Sequence, residues 1–123
     1  MLQAIGLVVA GAAVGAAARF LITHFSSTAS HHHGFPYGTL AVNVLGSLLV
    51  GYVLSWSDDH SHDRWRLLVA TGFCGAFTTF SAFAYESMAY LREGRLWAMG
   101  ANVMLNNALS FAALVWGARL HRP

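Results

Sequence analysis

Four apolar segments divide this chain, and only short polar connections separate them. They run over about residues 2–23, 37–56, 65–91 and 96–120. A helix rises 1.5 Å per residue, so about 20 apolar residues cross the ~30 Å hydrocarbon core of a bilayer. Each segment is close to or above that length, which predicts an all-α integral membrane protein of four transmembrane helices in one domain, 1–123. Composition agrees. Hydrophobic residues make up 56% and charged residues 10%, against roughly 25% charged in a soluble domain. A soluble fold of this size has too little charge here to cover itself, and lipid as solvent removes that conflict.

The seven basic residues are all Arg: Arg19, Arg64, Arg66, Arg92, Arg95, Arg119 and Arg122. They sit toward the ends of apolar runs, where bilayer meets water. No basic patch interleaves with aromatics, so nucleic acid is not an expected partner. Met1 runs almost directly into the first apolar stretch with no basic region before it, so that stretch reads as a retained helix and not a cleaved signal peptide. Cys74 is the only cysteine, which leaves no intrachain disulfide and reads as a small packing residue. Trp56, Trp65, Trp97 and Trp116 fall near segment ends, as an interfacial aromatic belt requires. Gly11, Gly15, Gly46 and Gly51 let helix backbones approach closely, and packing alone accounts for them.

With four crossings, both termini and the 57–63 loop share one side of the membrane. That side carries Arg64, Arg66, Arg119 and Arg122; the other carries Arg19, Arg92 and Arg95. Such a balance gives almost no positive-inside bias. The chain is therefore expected to insert in both orientations and to pair with an antiparallel copy of itself; the alternative is one weakly specified orientation.

The third segment is not a plain membrane helix. Its middle reads Thr71-Gly72-Phe73-Cys74-Gly75-Ala76-Phe77-Thr78-Thr79-Phe80-Ser81. Gly weakens a helix interior, and Thr and Ser compete for backbone carbonyls. Two readings stand: an intact, softened helix, or a break near Gly75–Thr78 whose freed carbonyls are hard oxygen ligands for a small cation. Phe77, Phe80 and Phe83 recur every three residues and share a face. Spacing alone favours lipid or core for that face; facing a pore, the rings would offer positive edges to an anion.

Polar stripes run along two other segments. Thr39, Asn43 and Ser47 repeat every four residues in the second, and Asn102, Asn106 and Ser110 do so in the fourth. An amide in lipid is costly unless bonded, so these stripes are either interhelical glue or a polar track. Glu86 follows Phe83 by three residues and is placed to close one end of the aromatic stripe; Arg19 and Glu86 can equally snorkel to an interface. His31, His32 and His33 lie in one loop, and His60 and His62 lie among Asp58, Asp59 and Asp63. Neither group has helical ligand spacing or a Cys partner, so a metal site is not expected there. No nucleophile triad, phosphate-cradling loop or paired catalytic carboxylates stands out, so the chain is not expected to be an enzyme.

Gly38-Thr39-Leu40-Ala41-Val42-Asn43, the 71–83 stretch ending Thr78-Thr79-Phe80-Ser81-Ala82-Phe83, and Gly15-Ala16-Ala17-Ala18-Arg19-Phe20 closely resemble the CrcB/Fluc fluoride channels. The resemblance covers essentially the whole chain. It implies an antiparallel dual-topology homodimer in the bacterial inner membrane, passing fluoride passively out of the cytoplasm along two parallel pathways. It also implies a structural sodium ion (Na+) at the dimer centre, held by the backbone carbonyls of Gly75 and Thr78. The pathway residues it implies are Asn43, Phe80, Phe83, Ser110, Thr39, Ser81 and Asn106. The His-rich loop lies outside the pattern and is assigned no role. Two rivals make contrasting demands. A small proton-coupled multidrug antiporter needs a carboxylate in its first helix, and the first segment here has none. A purely structural membrane protein needs neither a broken third helix nor two polar stripes.

Overall fold

The computed structural model describes residues 1–29, 34–55 and 63–120. Trp56, Arg122 and the His31–His33 and Asp58–His62 stretches lie outside the described residues, and with them both loop histidine clusters. Among the described residues, no group of three or more His, Cys, Asp or Glu side chains is placed to hold a metal.

The described chain is helical and has four stretches long and apolar enough to span a bilayer. Helix α1 is Leu2–Ala29, running past Thr23 to the start of the His-rich loop. Helix α2 is Tyr37–Leu54 and begins after Pro36, whose missing N–H costs nothing at a helix start. The third span is composite. Its first part, α3, opens with one turn at Asp63–Trp65, continues as a π-helical stretch over Arg66–Cys74 and closes with a turn at Gly75–Phe77. After an extended Thr78 and Thr79 the span resumes as α4, Phe80–Arg92. Gly94, at φ +70°, makes the tight turn into α5, Leu96–Arg119.

The helices pack in two principal pairs, α1 with α3 and α2 with α5. Both pairs rest on glycine. A methyl group on Gly51 would overlap the Leu114 carbonyl oxygen, and one on Gly117 would overlap that of Leu48. Gly11 and Gly15 bring α1 as tightly onto the backbone of Leu68 and Phe73. In lipid, where apolar burial gives helices little reason to associate, such close backbone packing carries the association.

The surface is inverted relative to a soluble protein. Ile5, Val9, Val14, Phe20, Phe111 and Leu114 are among many large apolar side chains left exposed, as expected where lipid is the neighbour. Trp65, Trp97 and Trp116 are exposed near helix ends, where an interfacial aromatic belt would place them. The ends of α1 and α4 and the starts of α2 and α5 meet around one cavity, so they share a side. The described arginines then divide evenly: Arg19, Arg92 and Arg95 toward that side, and Arg64, Arg66 and Arg119 toward the other.

The break in the third span does not begin at Gly75. Gly75 keeps helical dihedrals (φ −60°, ψ −34°); the extended residues are Thr78 (φ −80°, ψ 156°) and Thr79 (φ −149°, ψ 112°). The physical reason lies on another helix. In an unbroken helix the Thr79 N–H would bond the Gly75 carbonyl. Here it donates instead to Asn43 Oδ1 at 2.8 Å.

Candidate functional site

Asn43, at mid-length of α2, clamps the break. Its Oδ1 accepts from Thr79 N–H, and its Nδ2 donates back to the Thr79 carbonyl at 3.2 Å. The pair reproduces between a side chain and a backbone the double bond that strands make with each other. Thr79 N–H can only donate, so it fixes which way the Asn43 amide points. Thr79 also caps α4: its Oγ1 accepts from Ala82 N–H at 3.2 Å and lies 3.2 Å from Ser81 Oγ. Thr78 Oγ1 turns back to the Cys74 carbonyl at 2.9 Å.

A relay of amides extends from this clamp. The second Asn43 Nδ2 hydrogen goes to Asn106 Oδ1 at 3.0 Å. Asn106 Nδ2 donates to Asn102 Oδ1 at 2.8 Å, Asn102 Nδ2 to Ser87 Oγ at 3.0 Å, and Ser87 to the Phe83 carbonyl at 2.8 Å. Asn102 is fully buried. Each member donates onward, so the relay is directional and joins α2, α5 and α4. The polar stripe on α5 is therefore partly interhelical glue.

A cleft of about 390 Å³ lies beside the clamp. Asn43, Ser47, Thr78, Thr79, Phe80, Phe83, Asn106 and Ser110 line it, with Val50, Asn107, Phe111 and Leu114. Phe83 is buried (7% exposed) and Phe80 is open (77%), with ring centroids 5.4 Å apart and planes tilted by 58°. Neither ring stacks flat on the other, so edges remain available at the cleft wall. Most polar groups here are committed: both Asn43 hydrogens have acceptors, and Asn106 Nδ2 is bonded. Ser110 differs from these: its buried Oγ has no hydrogen-bond partner among the described residues.

The second stripe splits between two cavities. Asn43 and Ser47 face the cleft, whereas Thr39 lines a vestibule of about 640 Å³ on the other side of the Asn43 turn. There Thr39 Oγ1 donates to Glu86 Oε1 at 2.5 Å. Glu86 Oε2 is buried without a partner among the described residues. The structure thus brings Asn43, Phe80, Phe83, Asn106 and Ser110 to one cleft. Thr39 belongs to the vestibule, Ser81 is exposed beside Thr79, and Gly75 is exposed outside both cavities with open space around its α-carbon. Thr79 and Ser87 join the site only in the structure. Thr79 was visible as half of the Thr78-Thr79 pair; nothing in the sequence marked Ser87 as the partner of Asn102.

The family model described as "CrcB-like protein, Camphor Resistance (CrcB)" matches residues 6–118 of this chain. A protein of Koribacter versatilis (strain Ellin345) named fluoride-specific ion channel FluC is 41% identical over 114 residues, covering 91% of this chain and 90% of that one. Proteins of the same name from Vibrio parahaemolyticus and Vibrio cholerae (strain ATCC 39541 / Classical Ogawa 395 / O395) are 36% and 40% identical. The first match covers 94% of this chain and 92% of the relative; the second covers 89% and 87%. Four membrane-spanning helices, a clamped break in the third span and a near-full-length family match agree: this chain is a multi-pass bacterial membrane protein that belongs to the CrcB-like family.

Proposed function

We propose that this protein is a fluoride-specific channel, not an enzyme, that lets fluoride leave the cytoplasm passively across the inner membrane. The observation that carries this reading is the match to proteins named fluoride-specific ion channel over about nine-tenths of both chains. The cleft supports it chemically. Fluoride is small and strongly hydrated, so a pathway must replace its water with good donors while avoiding fixed positive charge that would trap it. The cleft offers the unpartnered Ser110 hydroxyl, the edges of Phe80 and Phe83, and no cationic side chain among its described lining residues. Asn43 reaches fluoride by exchange: the anion takes the place of the Thr79 carbonyl or Asn106 Oδ1 as acceptor. Thr39, Ser81 and Asn106 complete the proposed polar lining. Hydrogen fluoride formed outside crosses the bilayer and dissociates in the more alkaline cytoplasm, and the channel returns fluoride down its gradient. Ser110→Ala tests the donor assignment. Because its hydroxyl bonds nothing else among the described residues, fluoride efflux from proteoliposomes is expected to fall about 5- to 10-fold, the worth of about one hydrogen bond, with thermal stability unchanged. Equal efflux would remove Ser110 from the pathway.

The working unit we propose is an antiparallel homodimer. The even split of the described arginines supports insertion in both directions. Reporter fusions at the C-terminus are expected to signal from both sides of the membrane; signal from one side alone would sink dual topology. The same proposal places a structural sodium ion at the dimer centre. The chain fits a hard cation in one respect: the Gly75 carbonyl has lost its helical donor to Asn43, and open space surrounds its α-carbon. The Gly75 and Thr78 carbonyls would hold the ion, which would supply charge to join the two third spans.

A further inference from the structure

The vestibule is ringed by the ends of all four spans. Its described lining includes two carboxyl side chains, Glu86 and Glu93, and a single cationic one, Arg95. Arg95 is half-buried and held in place. The Gly94 turn (φ +70°) lets Arg95 N–H bond the Tyr90 carbonyl at 2.9 Å. Its guanidinium then lies over the Tyr90 ring, 4.8 Å from the centroid. The buried Tyr90 is fixed in turn, its hydroxyl donating to the Gly34 carbonyl. Glu93 Oε2 approaches Arg95 Nη1 at 3.3 Å, and Glu93 is the more exposed of the two.

An exposed ion pair contributes little to stability, so stability is a weak reason for this arrangement. Its position gives a stronger one. The same vestibule is lined by Thr39, one helical turn from Asn43, which lines the cleft. Charge in a concave, low-dielectric mouth sets the local ion concentration, and the two carboxyls without Arg95 would repel an anion. We propose that Arg95 keeps the mouth of the pathway open to anions by offsetting the Glu86 and Glu93 carboxyls. The inference rests on the fluoride-channel reading and assigns residues that shape its conductance.

Fluoride efflux from proteoliposomes, measured at low fluoride with ionic strength set by an impermeant salt, tests this. Arg95→Gln is expected to reduce efflux about 3- to 10-fold near 10 mM ionic strength, with the gap closing to under about twofold near 1 M, where the screening length is about 3 Å. Arg95→Lys keeps the charge and is expected to stay within about twofold of the wild type, and Glu93→Gln to raise efflux about two- to threefold at low salt. Two results would overturn the proposal: efflux through Arg95→Gln equal to wild type at low salt, or a loss that is the same at every ionic strength and is not rescued by Lys, which marks a packing role. Absence of fluoride efflux from the wild type would instead strike the channel reading itself.

Discussion

Replacing Asn43 is expected to do more damage than any other single polar change in this protein. Asn43→Leu leaves both the Thr79 N–H and the Thr79 carbonyl of this buried residue without their partner. Each buried orphan costs about 1–3 kcal/mol, so a loss of about 2–6 kcal/mol is expected, together with loss of fluoride flux. Thermal unfolding in detergent measures the first and liposome efflux the second. Asn43→Asp separates the two effects. The carboxylate still accepts from Thr79 N–H but donates to neither Thr79 nor Asn106, and it sets a negative charge beside the proposed anion path. Flux is expected to fall on the order of 100-fold or more by charge repulsion, with the purified protein remaining monodisperse. Wild-type flux through Asn43→Asp would show that the ion passes elsewhere.

The second large effect is at the α2–α5 contact. Gly51→Ala would drive a methyl into the Leu114 carbonyl, a backbone atom that no rotamer change can move. The expected cost is about 3 kcal/mol or more, the upper range for overpacking, read as a drop in melting temperature. Gly100 is the matched control on α5. A methyl there meets nothing within 4 Å, so Gly100→Ala is expected to be neutral or to add up to about 1 kcal/mol from helix propensity. Equal behaviour of the two variants would mean that close backbone packing does not hold this pair together.

The four crossings were legible because length and apolarity act locally: twenty apolar residues in lipid leave the backbone little alternative to a helix. The weakness of the third span was also legible in Gly72, Gly75, Thr78 and Thr79. The residue at which it breaks was not. Which carbonyl loses its donor depends on Asn43, 36 positions earlier, and no local pattern encodes that pairing. The π-helical register of Arg66–Cys74 was likewise invisible. It coincides with the close contacts of Gly11 and Gly15 from α1. The four-residue spacing of Asn102, Asn106 and Ser110 gave the face of α5 but not the division of labour along it. Asn102 and Asn106 spend their hydrogens inside the protein, and Ser110 keeps its own. In sequence Glu93 and Arg95 are only part of the short polar connection after the third segment, because their approach to the vestibule depends on how α4 and α5 close around Tyr90.

The central claim is that this chain passes fluoride selectively. Purified protein in liposomes loaded with equal potassium fluoride and potassium chloride tests it most directly, with anion-selective electrodes following both ions after a potassium ionophore is added. The account predicts rapid fluoride efflux and chloride release no faster than from protein-free liposomes. Equal release of both anions, or release of neither, would contradict it.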